Sequence, residues 1–72
     1  MKKFIRVKTC NNLKEAQEVL SILFTKGYDN INIKQLAPNN VEVQVLLGTH
    51  DNLEDTLSEL IDDGYPAVLI EA

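Results

Sequence analysis

Cys10 and His50 are the only thiol and the only imidazole in the chain, and each falls in a loop that joins a strand to a helix. A thiol beside an imidazole, near the positive ends of two helices, is the arrangement that produces a reactive thiolate. Such a dyad also needs a group to orient the imidazole and donors for an oxyanion. Neither loop supplies them, and a chain this short has little left to wall a pocket. One Cys and one His cannot close a tetrahedral metal set, and no ligand spacing is present. The three glycines, Gly27, Gly48 and Gly64, are too scattered to cradle a phosphate. No metal or cofactor is expected, and the chain is not expected to be an enzyme.

Two other sets have residue types suited to binding. The first is acidic. From Asp51 to Asp63 there are six acids and no Lys or Arg. Glu54, Asp55 and Glu59 suit the outer face of a helix. Asp62 and Asp63 fall at its C-terminal end, where negative charge opposes the helix dipole. Local rules are often broken where a surface has a task, so these acids are expected to meet a basic partner, such as a nucleic-acid-binding protein whose DNA or RNA they imitate. The second set lies on a sheet. Phe4, Arg6 and Lys8 alternate with Ile5, Val7 and Thr9, and on a neighbouring strand Gln44 and Leu46 share their face. Cationic and aromatic groups on a sheet can stack RNA bases. That use needs rings on both central strands, and Glu42, Gln44 and Leu46 offer none. A protein partner, or a second copy of the chain, is expected across this face instead.

The elements that carry these residues follow from periodicity. Phe4 to Thr9 alternates as a strand with one covered face. Asn12 with Glu15 three residues on reads as a capping box, so a helix begins at Leu13. Leu13, Ala16, Val19, Leu20, Leu23 and Phe24 form its apolar stripe, and Gly27 stops it. A second strand spans Asn30 to Gln35, with Ile31 and Ile33 inward and Asn30, Asn32 and Lys34 outward. Pro38-Asn39-Asn40 makes a turn, after which Val41, Val43, Val45 and Leu47 alternate with Glu42, Gln44 and Leu46. Asp51 or Asn52 caps a second helix, striped by Leu53, Leu57, Leu60 and Ile61, about one turn shorter than the first and stopped by Gly64. Ala67 to Glu71 is the last strand.

The order is β-α-β-β-α-β. With right-handed crossovers it gives an α+β, ferredoxin-like sandwich, a four-stranded antiparallel sheet in spatial order 4-1-3-2 with two helices on one face. The other sheet face stays open. The first and third strands are expected side by side and parallel, which would bring Cys10 and His50 out at one end. Residues 1–72 read as one domain of two similar halves, 3–36 and 40–72. Asn12-Leu13 answers Asn52-Leu53, and Gly27-Tyr28 answers Gly64-Tyr65.

Bulk properties narrow the setting. The chain has 72 residues, is 44% hydrophobic and 25% charged, and carries a net charge of −4. A chain of this length buries roughly 60% of its unfolded surface. The acidic balance argues against direct nucleic-acid binding. A lone cysteine excludes an internal disulfide framework and fits a reducing compartment. Arg6 and Lys8 interrupt the N-terminal segment too early for a signal peptide or a membrane span, so a cytoplasmic location is expected, away from the membrane.

The paired halves resemble the SPOR (sporulation-related repeat) domain across nearly the whole chain. Val7-Lys8, Leu13-Lys14-Glu15-Ala16 and Lys26-Gly27-Tyr28 carry the resemblance in the first half. Val45-Leu46-Leu47-Gly48 and Asp63-Gly64-Tyr65-Pro66-Ala67 carry it in the second. It implies binding of peptidoglycan glycan strands on the open sheet face, through Phe4, Arg6, Lys8, Gln44 and Leu46. The sequence departs from the family pattern at Lys8, where the family has Gln, and at Cys10, where it has Gly. Asn12 and His50 stand where it has loop aromatics. The leading expectation is therefore a non-catalytic protein-binding module, a small cytoplasmic regulator or inhibitor of bacterial or phage origin. On this reading it acts through its acidic helix and open sheet face, with a SPOR-like glycan-binding domain as the alternative.

Overall fold

A computed structural model describes residues 3–28, 30–46 and 53–71. The elements run β1 (Lys3–Cys10), α1 (Leu13–Thr25), β2 (Ile31–Ala37), β3 (Asn40–Leu46), α2 (Leu53–Asp62) and β4 (Val68–Glu71). The four strands form one antiparallel sheet in the order β2-β3-β1-β4, which is the expected 4-1-3-2 order counted from the other edge. The fold is an α+β, ferredoxin-like sandwich.

Capping chemistry sets the helix bounds. The Asn12 side chain accepts a hydrogen bond from the Glu15 backbone N–H at 2.8 Å, and the Glu15 carboxylate accepts one from the Asn11 N–H at 3.1 Å. This capping box closes one residue further back than the usual form. At the other end Gly27 takes φ +104°. Its N–H donates to Phe24 O and the Tyr28 N–H donates to Leu23 O, both at 3.1 Å, the two bonds of a Schellman motif. α2 ends the same way. Gly64 has φ +95°, with Gly64 N–H to Ile61 O at 3.0 Å and Tyr65 N–H to Leu60 O at 3.1 Å. The repeated Gly-Tyr step is thus one capping device used twice. In each case the tyrosine ring packs onto the core just beyond a fully buried leucine, Leu23 or Leu60.

The core lies between the helices and one sheet face: Ile5, Val7 and Cys10 from β1, Val41, Val43 and Val45 from β3, Ala16, Val19 and Leu23 from α1, and Leu60 from α2. Fully burying a side chain of this size stabilises the fold by about 1.5–3 kcal/mol before entropy is counted. The apolar stripes are narrower than the sequence suggests. Leu13 and Phe24 on α1, and Ile61 on α2, face solvent, because an apolar residue on the flank of a stripe looks the same in sequence as one at its centre.

Two features of the sheet correct the sequence reading. β1 and β3 are neighbours but antiparallel. The hairpin reverses β3 relative to β2, and β1 pairs with the reversed strand. Cys10 therefore lies opposite Val41, at the start of β3, while the end of β3 at Leu46 lies opposite Phe4. The last residues of β1 and β3, Cys10 and Leu46, thus lie at opposite ends of the sheet. The second correction is a β-bulge. Arg6 pairs with Gln44 and Lys8 with Val43, so β1 carries one extra residue, and a one-residue slip exchanges the faces beyond it. Thr9 is exposed opposite Glu42, and Cys10 takes the inward place opposite Val41. β2 also outruns its expected end at Gln35, reaching Ala37 past a second register shift. His50, the candidate caps Asp51 and Asn52, and the strand extension to Leu47 lie outside the described residues.

Candidate functional site

The open face is built by cross-strand pairing, which sets side chains opposite one another into rows. One row is Leu46, Phe4 and Ile70; the next is Asn32, Gln44, Arg6 and Val68. A third holds Lys34, Glu42 and Thr9. The face has an apolar end and a polar end. At the apolar end Leu46 is 37% and Val68 43% exposed, with Phe4 and Ile70 half-buried between them. At the polar end the Asn32 amide donates to Gln44 Oε1 at 3.3 Å, and Gln44 Nε2 donates to Glu42 Oε1 at 3.5 Å.

Four of the five predicted sheet-face residues fall into these rows: Phe4, Arg6, Gln44 and Leu46. Lys8 is exposed but lies beyond the register shift, opposite Val43. Gln44 is on the open face yet only 5% exposed, covered by its neighbours in the row and occupied by Asn32 and Glu42. Sequence reasoning missed Thr9, Val68 and Ile70. The last strand is apolar at successive positions, so alternation could not assign its faces, and the bulge that moves Thr9 leaves no mark in side-chain type.

The acids of α2 lie in the helix layer, across the sheet from this face, so one compact partner covers one surface or the other. Part of their charge is used within the fold. Lys26 Nζ is 2.7 Å from Asp63 Oδ2, and Lys26 and Asp63 occupy equivalent positions at the ends of their helices. The Tyr28 hydroxyl donates to Glu59 Oε2 at 3.2 Å. The hydrogen bond to Asp63 raises the Lys26 pKa above the ordinary lysine value. Burial, then the neighbouring Glu59 charge, raises that of Tyr28. These contacts tie the C-terminal ends of α1 and α2 together, and they give Asp63 a structural role despite its unfavourable place on the helix dipole. Glu54 and Asp55 are exposed and also engaged, and Asp62 is exposed.

Cys10 is 2% exposed, and burial pushes its thiol pKa up, partly countered by Lys8. That is the opposite of the shift a nucleophilic thiol needs. Among the described residues no three His, Cys, Asp or Glu groups come together as a metal site, and no helix is long and apolar enough to cross a membrane.

Comparison with protein-family profiles, characterised proteins and solved structures returned no match.

Proposed function

We propose that this chain is a non-catalytic protein-binding module whose contact surface is the open sheet face. The observation that carries the reading is the apolar end of that face. Phe4, Leu46, Val68 and Ile70 stand together, and among the described residues no helix covers them. An apolar cluster of this kind beside a polar row has the composition of a protein-contact patch, and Arg6 and Lys34 on the same face supply positive charge for orientation. The α2 acids rank second, because Asp63 and Glu59 already serve the contact between the helices. A small cytoplasmic regulator or inhibitor, from a bacterium or phage, is the role such a module suits. The second reading, a SPOR-like glycan-binding face, draws support from Phe4 lying beside the Arg6–Gln44–Asn32 row, an aromatic next to hydrogen-bonding groups.

The test is affinity capture with three forms of the chain. A discrete protein retained by wild type and by Asp62→Lys, and lost from a folded Phe4→Asp, Leu46→Asp variant, is the expected result. Loss with Asp62→Lys alone would assign binding to the acidic helix and overturn the open-face reading. Co-sedimentation with peptidoglycan sacculi, abolished by Phe4→Ala or Gln44→Ala, would replace it with the glycan reading.

A further inference from the structure

The outer edge of β2 and the adjoining flank of α1 form a second unpartnered surface among the described residues. Hydrogen-bond parity fixes what the edge offers. The Leu46 N–H donates to Asn30 O at 2.8 Å, and the register then continues without a shift to Gln35 opposite Val41. Asn30, Asn32 and Lys34 therefore turn their backbone groups toward β3, and Ile31, Ile33 and Gln35 turn theirs outward. An edge of this length without proline normally carries a blocking device. Here the only charge is Lys34, on the open face opposite Glu42.

The helix beside the edge is apolar where it should be polar. Phe24 is 65% and Leu13 44% exposed, with half-buried Leu20 between them. With Gln17 they recur at intervals of four, three and four along α1, the seam spacing of paired helices. Lys26, bound to Asp63, marks the flank of α1 that faces α2. At 3.6 residues per turn the Leu13–Leu20–Phe24 stripe stands roughly 120–160° round the axis from it, toward the β2 edge.

We propose that this surface binds a second copy of the chain about a two-fold axis through Ile33. The outward groups of Ile33 then pair with those of Ile33 in the other copy, and those of Ile31 with Gln35. Lys34 meets Asn32 across the axis, so no like charges oppose. An axis through Lys34 would also pair outward groups, Ile33 with Gln35, but it would set the Lys34 charge against itself. The helices fit the same axis. α1 lies over β2 and β3 and reaches β1, and strands are about 4.8 Å apart, so the two α1 axes come to stand roughly 10–13 Å apart, close enough for large side chains such as Phe24 to meet. Phe24 packs on Leu13 of the other copy, and Leu20 on Gln17. The pair forms a continuous eight-stranded sheet with the two open faces side by side.

Sedimentation equilibrium of the 72-residue chain, from micromolar to submillimolar concentration, tests this. The expected mass is twice 8.1 kDa. Phe24→Glu, at an exposed site that leaves the monomer folded, weakens association by about tenfold or more, while Ile61→Glu on α2 does not. Hydrogen exchange at Ile31, Ile33 and Gln35 slows with concentration, whereas exchange at Asn32 is slow throughout. A monomer at submillimolar concentration would overturn the proposal. So would a dimer that Phe24→Glu leaves intact and Leu46→Glu breaks.

Discussion

Replacing Gly27 or Gly64 with alanine isolates the capping device that the two halves share. Both glycines have positive φ, +104° and +95°, and a Cβ built on either meets no atom within 4 Å. The cost is therefore backbone strain alone, about 1–2 kcal/mol for an L-residue held in this region. For a domain of this size that lowers Tm by roughly 4–8 °C per kcal/mol. Because both sites use the same pair of bonds, the two single variants should lose similar amounts. The double variant should lose their sum, which is a large share of the roughly 3–5 kcal/mol that a core this small supplies. Urea unfolding followed by far-UV circular dichroism reads the difference directly. A loss below about 0.5 kcal/mol at either glycine, the range of ordinary surface substitutions, would mean that it is not held left-handed. The Gly-Tyr repeat would then need another explanation.

Three further outcomes follow from burial and charge. Leu23→Ala should cost about 2–5 kcal/mol and leave the chain largely unfolded, whereas Phe24→Ala, measured at low concentration, should change stability by less than about 0.5 kcal/mol; similar losses would put Phe24 in the core. Cys10 should react with iodoacetamide roughly 10²–10³ times more slowly in the folded chain than in urea, because the thiol is exposed only on opening; equal rates would restore a reactive thiol. Lys26 and Tyr28 both have raised pKa values when folded, so each holds its proton more tightly than the unfolded chain does. Their contributions are complete below the unfolded values of about 10, and they fade as pH rises through the folded ones. Stability should fall in that alkaline window, less steeply in a Lys26→Met, Tyr28→Phe variant, and an unchanged slope would show the contact to be absent in solution.

Much of the fold was legible because its signals are local. Asn12 with Glu15 marked the start of α1, Gly27 and Gly64 marked both helix ends, and alternating valines marked β3. The hidden features depend on how strands meet. Nothing in Arg6-Val7-Lys8 announces an extra residue, yet that residue moves Thr9 outward and Cys10 inward. The expected parallel pairing of β1 with β3 failed on topology, since a hairpin after β2 makes β3 antiparallel to β1. The open face was legible in outline through Phe4, Arg6, Gln44 and Leu46. Its apolar end became visible only when β4 set Val68 beside Arg6 and Ile70 beside Phe4. The same layering places the acids of α2 on the far side of the sheet, as the topology alone required.

Site-specific photo-crosslinking in the cells that encode the chain tests the open-face assignment most directly. A photoreactive phenylalanine at position 4 keeps the ring on the face, and the same group at position 62 probes the acidic helix. The expected result is a discrete adduct with a heavier protein from position 4, distinct from a pair of 8.1 kDa chains, and none from position 62. An adduct from position 62 alone would contradict it.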